Sequence, residues 1–234
     1  IVGARPSCGK TTLGLVFGVN AALAGAKVLY VSTEMKAARL LAKVTSRLPG
    51  LSSQAIVRGN LNEPQIDALG FQVERMAKTA FLVNDRVGRT FEALEAEIWR
   101  LRSQGRLDLV VLDYIQQVSY PSLKAGSRYE EVTKISGGLQ DLAKRLDIHI
   151  IALAQINREG AKNKTNDPPN KSQLKESGAL EQDADNIILI HRENEMDPRG
   201  KTTLILDKNR DGSQGWFDVD VDFSLNRISG RARH

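Results

Sequence analysis

The chain has 234 residues, of which 41% are hydrophobic and 26% are charged, and its formal net charge at pH 7 is +5. This composition excludes a disordered protein, and the length favours one α/β domain, residues 1–234, over two small ones. No stretch approaches the roughly 20 apolar residues of a membrane helix. The single cysteine excludes an internal disulfide bond. We therefore expect a cytoplasmic protein without a membrane partner. Because the sequence opens inside a predicted strand, we also expect a chain truncated at its N-terminus.

The first twelve residues, IVGARPSCGKTT, contain most of a phosphate-binding loop. Its pattern is G-x-x-x-x-G-K-[ST], in which backbone N–H groups surround phosphates, the lysine binds the terminal phosphates and the hydroxyl binds magnesium. Ala4 stands where the first glycine belongs, and an alanine is tolerated there if its φ is negative. An apolar start precedes the loop and an amphipathic run follows it, which is the required order of strand, loop and helix. The sequence therefore predicts a nucleoside triphosphate bound by Ala4, Arg5, Pro6, Ser7, Cys8, Gly9, Lys10, Thr11 and Thr12.

Short apolar runs and helical patterns alternate after this loop. The runs have the near-continuous hydrophobicity of strands buried on both faces, and they lie at 27–32, 80–85, 107–113, 148–155 and 186–191. Apolar residues spaced three or four apart predict helices between them, around 91–101 and 132–146. This alternation predicts a mostly parallel, doubly wound sheet. After residue 186 the pattern instead predicts two antiparallel strands around an Asp211-Gly212 turn, at the edge of the sheet.

Three polar residues follow predicted strands, and ligands of such sheets bind beyond the carboxyl ends of the strands. Asp113 follows four apolar residues, as does the magnesium-binding carboxylate of phosphate-loop enzymes, so Asp113 and Thr11 are the candidate Mg²⁺ ligands. The alternative is that Asp113 only caps the next segment. Glu34 can orient a water molecule towards the γ-phosphate, or it only caps a helix. Gln155 carries an amide that can hydrogen-bond the γ-phosphate.

Six sequence blocks carry a family resemblance. GARPSCGKT, VLYVSTEM, VVLDYIQQV, ALAQINRE, ESGALEQDAD and KNRDG, in this order and spacing, resemble the motor domain of the DnaB family of hexameric replicative DNA helicases, with a RecA-like ATPase fold. The resemblance implies ATP-driven movement of a homo-hexameric ring along single-stranded DNA in a bacterial or phage-infected cell, in the 5′ to 3′ direction. It also implies Mg²⁺ as a cofactor, and a primase and a helicase loader as candidate partners.

The resemblance also implies roles for individual residues. Glu34 would be the catalytic base and Gln155 would couple the phosphate to the DNA-binding loops. Lys208 and Arg210 would reach the nucleotide of a neighbouring subunit. The two-residue period of a strand points these two cations the same way, and we expect them to project from an edge strand without a partner in their own chain.

Two loops follow strands at the predicted nucleotide edge and are candidates for binding DNA. Residues 156–178 are rich in proline, asparagine and lysine, and residues 119–128 carry two basic residues and no acidic one. Few aromatic residues lie in them, which favours contacts with backbone phosphates over base stacking. The alternative for both is a solvated loop. With the family resemblance, the candidate DNA contacts are Lys124, Arg128, Lys171, Lys175, Glu176 and Gly178.

Other classes of phosphate-loop protein stay open at this point. A RecA-like recombinase or a signalling ATPase shares the loop and the strand-end carboxylates, but is expected to lack ESGALEQDAD joined to KNR. A small-molecule kinase needs a lid with arginines acting in one chain, and no segment offers itself as that lid. Cys8 lies beside Lys10 and near a helix N-terminus, which predicts a reactive thiol, or alternatively a buried, inert one.

Overall fold

The protein is built around a β-sheet, seen in a computed structural model that describes residues 1–47, 51–87, 89–123, 126–156, 168–171, 178–194, 197 and 201–230. The strands in these residues are β1 (Val2–Ala4), β2 (Val28–Ser32), β3 (Phe81–Asn84), β4 (Leu109–Asp113), β5 (His149–Gln155), β6 (Asn186–Arg192), β7 (Thr202–Asn209), β8 (Gly215–Asp222) and β9 (Arg227–Gly230). Each strand predicted from an apolar run is present.

Helices connect the parallel strands. In the described residues they are α1 (Lys10–Leu23), α2 (Ala37–Thr45), α3 (Ser53–Arg58), α4 (Glu63–Ala77), α5 (Phe91–Ser103), α6 (Arg128–Leu146) and α7 (Gly178–Asp183). The helix α6 begins with a capping box, because the side chains of Ser127 and Glu130 each accept a hydrogen bond from the backbone N–H of the other. No helix in the described ranges has the length and apolar character needed to cross a membrane.

The strand order places the phosphate loop at the centre of the sheet. The order is β3-β2-β4-β5-β1-β6-β7-β8-β9. The strands from β3 to β6 pair in parallel, whereas β7, β8 and β9 are antiparallel to their neighbours. This confirms the predicted mostly parallel sheet with an antiparallel C-terminal edge. The sequence reasoning did not find β9, and β7 lies between β6 and β8, so the prediction that Lys208 and Arg210 end an edge strand was wrong.

The core has one cluster on each face of the sheet. Leu29 and Val31 of β2 point into a cluster formed with α5 and α6. Val28 and Tyr30 alternate with them and point into a second cluster formed with α1 and α2. Each strand of this region is therefore buried on both faces, which explains why its sequence is hydrophobic at nearly every position.

Candidate nucleotide-binding site

The phosphate loop, residues 5–9, joins the end of β1 to the start of α1. Gly9 has φ of 99°, in the left-handed region, and a Cβ added there would lie 2.8 Å from Cε1 of Phe223. A side chain at this position is therefore excluded by both conformation and space. Ala4 is the last residue of β1 and pairs with Gln155 and Ile190. Its extended backbone has no need of glycine, which accounts for the departure from the usual pattern.

Asp113, the last residue of β4, is almost fully buried, with 1% of its surface exposed. Its Oδ2 accepts hydrogen bonds from the hydroxyls of Thr11, at 2.7 Å, and Tyr30, at 2.9 Å. Its Oδ1 lies 3.7 Å from Nζ of Lys10 and is buried without a hydrogen-bond donor among the described residues. An oriented carboxylate oxygen beside the Thr11 hydroxyl is a set of oxygen ligands that suits Mg²⁺. The predicted metal ligands thus lie together.

Lys10, the first residue of α1, is held between an acid and an aromatic ring. Its ammonium lies 3.6 Å from the centroid of the Tyr114 ring and 3.7 Å from Asp113. Burial lowers the pKa of Lys10, while the carboxylates of Asp113 and Glu34 act in the opposite direction. The ammonium is therefore partly desolvated and held in place, which strengthens its interaction with a phosphate that enters the loop.

Glu34 is exposed and lies on the rim of the same pocket. The preceding residue, Thr33, is hydrogen-bonded to the end of β4. Its hydroxyl donates a hydrogen bond to the Asp113 carbonyl at 2.9 Å and accepts one from the Tyr114 N–H at 3.0 Å. The backbone N–H of Thr33 donates to the same carbonyl. The residue before the candidate catalytic base is thus hydrogen-bonded to the end of β4, where the candidate metal ligand lies.

The loop and the strand ends enclose a pocket of about 340 Å³. Its lining includes Glu34, Gln155 and every residue predicted to bind the nucleotide except Cys8. A larger cavity of about 690 Å³ lies elsewhere in the chain, but apolar side chains such as Phe17 and Leu139 dominate its lining. The smaller pocket is therefore the candidate nucleotide site.

Cys8 points away from this pocket. It is 3% exposed and packs in the core cluster that includes α1. This burial favours the inert thiol over the reactive one, because a buried thiol is poorly reached by reagents. The inert alternative describes this residue.

Sequence reasoning missed three pocket residues from distant parts of the chain, namely Met35, Lys43 and Phe223. The Phe223 ring lies 4.4 Å from the guanidinium of Arg192. Lys43 donates to Oδ1 of Asn226, which follows β8, at 2.8 Å. Burial lowers the pKa of Lys43, and the negative charge of Asp113 acts in the opposite direction. No local sequence pattern marks Phe223, because the antiparallel edge brings it to the loop.

Comparison with known proteins decides the family. A model of the DnaB-like helicase C-terminal domain matches residues 1–229. The chain belongs to this family. The predicted resemblance is confirmed, and the chain is a DnaB-like helicase C-terminal domain.

Curated relatives agree with this assignment. The chain is 36% identical over 224 residues to the replicative DNA helicase DnaB of Pasteurella multocida, covering 92% of this chain and 47% of that protein. It is 30% identical over 230 residues to a probable plasmid replicative DNA helicase of Chlamydia trachomatis, covering 98% of this chain and 50% of that protein. The chain spans about half the length of the curated relatives it matches.

Solved structures share the fold. One solved ATPase domain superposes with a TM-score of 0.90 at 25% identity, over 99% of this chain and 84% of that one. A DnaB-like replicative helicase, solved in a study of its interactions with primase, gives a TM-score of 0.86 at 25% identity, over 97% of this chain and 57% of that one. The RecA-like ATPase fold predicted from the sequence is thereby confirmed.

The candidate DNA contacts of the DnaB-like domain are only partly described. Lys124, Lys175 and Glu176 lie outside the described residues. Gly178 is exposed at the start of α7. These four DNA contacts stay predictions.

The other two candidate DNA contacts make bonds within the chain. Lys171 forms an ion pair with Glu181 at 3.0 Å. Arg128 donates to the backbone carbonyls of Gln116 and Val118 and to the Glu131 carboxylate. Both cations are thus already engaged within the chain, and their DNA contacts also stay predictions.

Both cations of the KNR segment also have partners within the chain. Lys208 donates to the backbone carbonyls of Glu181, at 2.6 Å, and Gln182, at 3.1 Å, near the end of α7. Arg210 pairs with the Asp185 carboxylate at 2.8 Å, in an exposed position. The expectation that neither had a partner in its own chain was wrong, because α7 and the turn before β6 pack beside the end of β7. Their action on a neighbouring subunit stays a prediction.

Proposed function

We propose that residues 1–234 form one motor domain of a replicative DNA helicase. It hydrolyses ATP at the subunit interfaces of a hexameric ring, moves along single-stranded DNA and unwinds the duplex at a replication fork. The observation that carries this proposal is that Lys10, Thr11, Glu34 and Gln155 line one pocket in a chain of the DnaB-like family. Asp113 contacts two of these residues, Lys10 and Thr11. The proposed location is the cytoplasm of a bacterial or phage-infected cell.

The phosphate loop supplies binding. Backbone N–H groups at the start of α1 face the pocket, where the helix dipole favours an anion. The Lys10 ammonium neutralises charge on the terminal phosphates, and because it is already desolvated and oriented, little reorganisation is needed as that charge grows in the transition state. Thr11 and Asp113 would hold Mg²⁺, which would neutralise phosphate charge when bound.

The strand-end residues supply the reaction with water. The Glu34 carboxylate orients the attacking water molecule and accepts its proton, from a position that Thr33 fixes against β4. The Gln155 amide hydrogen-bonds the γ-phosphate and loses that contact once the phosphate leaves. We assign the transition-state charge stabilisation in trans to Arg210, with Lys208 beside it, from the neighbouring subunit.

The partners follow from the same proposal. Single-stranded DNA passes the loops at 119–128 and 156–178, where contacts to phosphates require no particular base sequence. The named interactions of one solved relative with primase support a primase as a partner, and a helicase loader belongs to the same proposal.

The test measures ATP hydrolysis with and without single-stranded DNA, and unwinding of a forked duplex, in the complete polypeptide. We expect single-stranded DNA to stimulate hydrolysis and the fork to be unwound only with ATP and Mg²⁺. Lys10→Ala is the matched inactive control and should lose both activities. An ATPase that does not unwind the fork would refute the proposed helicase function and indicate a recombinase or signalling ATPase instead.

A further inference from the structure

The side chain of Gln116 continues the sheet beyond the end of β4. The ladder between β4 and β5 ends at Leu112 and Ala152. Gln155 lies three residues beyond Ala152 in β5 and forms two hydrogen bonds with the side chain of Gln116. Its N–H donates to Oε1 of Gln116, and its carbonyl accepts from Nε2 of Gln116, each at 3.0 Å. A primary amide carries a donor and an acceptor side by side, so it can replace a neighbouring strand at one residue. Gln116 thus binds the backbone of the residue whose side chain lines the nucleotide pocket.

The backbone of Gln116 is bound in turn by Arg128. One guanidinium nitrogen of Arg128 donates to the carbonyls of Gln116 and Val118, and the other binds the Glu131 carboxylate. Glu131 also accepts from the Tyr120 N–H at 2.5 Å. The first turn of α6 and the residues that follow β4 are therefore one connected hydrogen-bonded unit.

We propose that Gln116 is a positioning residue that transmits the presence of the γ-phosphate from Gln155 to the loop at 119–128. The inference rests on the proposed function, because that loop is a candidate DNA contact. If the Gln155 backbone shifts when its amide gains or loses the phosphate, Gln116 must move with it or leave a part-buried N–H and C=O without partners, which is the less favourable course. The bonds of Arg128 carry this movement to the described ends of the loop.

This arrangement gives Arg128 a role in addition to the predicted DNA contact. Its guanidinium is engaged by two carbonyls and a carboxylate, so its contribution is to hold the loop to α6. A planar group with several donors is suited to binding three acceptors at once, which a lysine at the same position cannot reproduce.

The test compares DNA affinity in two nucleotide states of the complete polypeptide. The dissociation constant for a fluorescent oligo-dT is measured with ADP and with a non-hydrolysable ATP analogue. The ratio of these two constants reports the effect of the γ-phosphate on DNA affinity. Gln116→Met removes both bonds to Gln155 at similar volume, and Gln116→Glu keeps the acceptor but removes the donor. Gln140→Met is the matched control, because the Gln140 amide also donates a hydrogen bond to a backbone carbonyl, but to that of Asp183 at the end of α7.

In the parent and in Gln140→Met we expect DNA affinity to differ by about 5- to 150-fold between ADP and the ATP analogue, which is the usual range of coupling between sites. In Gln116→Met the ratio should fall to about threefold or less, and in Gln116→Glu it should fall part of the way. Nucleotide affinity without DNA should stay within about threefold of the parent in both variants, whereas a general structural defect would weaken it.

A parent-like ratio in Gln116→Met would overturn the inference and leave the helicase proposal intact. No nucleotide dependence in the parent itself would overturn both. Should Gln116→Met fail to fold, Gln116→Glu decides, because it retains the size and one hydrogen bond of the original side chain. A parent-like ratio in that variant would then count against the inference.

Discussion

The phenol of Tyr30 is a buried hydrogen-bond donor to Asp113, and Tyr30→Phe removes that hydroxyl and nothing else. Tyr30 is 0% exposed, and its oxygen lies 2.9 Å from Oδ2 of Asp113. Burial raises the pKa of Tyr30 well above its usual value, and the neighbouring Asp113 carboxylate raises it further. The hydroxyl therefore stays protonated and acts as a donor at any pH at which the protein would be assayed.

The size of the effect follows from the burial and the charge. A hydrogen bond to a charged group contributes about 1.5 to 3 kcal/mol, and in the variant Asp113 would keep only the bond from Thr11 at Oδ2. For a domain of this size that loss lowers the melting temperature by about 3 to 12 °C. A carboxylate that has lost one of its two orienting donors should also hold Mg²⁺ less well, by about 10-fold or more.

The assay combines thermal unfolding with ATPase activity titrated against Mg²⁺. We expect a lower melting temperature and a higher Mg²⁺ requirement in Tyr30→Phe. Tyr129→Phe is the control, because the Tyr129 side chain is about half exposed, and it should change stability by less than about 0.5 kcal/mol. A Tyr30→Phe protein with parental melting temperature and Mg²⁺ requirement would show that Tyr30 does not orient Asp113.

Three further predictions concern other parts of the site. Thr33→Val keeps the shape of the side chain but removes the hydroxyl that links β2 to β4. We therefore expect kcat to fall by about 10-fold with ATP affinity little changed. A loss of ATP affinity as large as the loss of kcat would contradict this prediction. Cys8 should resist maleimide in the native protein and react once the chain is unfolded in guanidinium, as mass spectrometry of both samples would show. Arg210→Ala in assembled rings should bind ATP normally but hydrolyse it about 10³-fold more slowly. Rings assembled with an excess of Glu34→Gln subunits should recover some activity, and no recovery in rings shown to be mixed would refute a shared site.

The sequence predicts the parts of the site that depend on parallel strands. The carboxyl ends of β1, β2, β4 and β5 meet at one edge, so a run of apolar residues followed by Asp113 or Gln155 is enough to place that side chain. The position of Asp113, a candidate Mg²⁺ ligand, is predictable for this reason. The roles of Gln116 and Asn226 were not, because each depends on a partner in another segment, Gln155 for one and Ser46 and Lys43 for the other.

The same distinction explains the errors. Lys208 and Arg210 have the correct period for a strand, but their partners lie near α7 and before β6, and no local rule reveals them. The helices α3 and α4 were not predicted because they bury little: among their described residues only Gln72 is buried. A helix that lies on the surface lacks the strong apolar stripe that makes α5 and α6 recognisable.

The central position of β1 constrains how the protein is made. Val2 of β1 pairs with Leu153 of β5 on one side and with Ile188 of β6 on the other. At a synthesis rate of about 5 to 20 residues per second, the strand that leads into the phosphate loop waits on the order of 10 to 30 s for its first neighbour. Phe223 and Asn226 complete the pocket later still. During translation this apolar segment therefore waits longer for a pairing partner than any other described strand, and the nucleotide pocket is complete only when nearly all of the described residues have been synthesised.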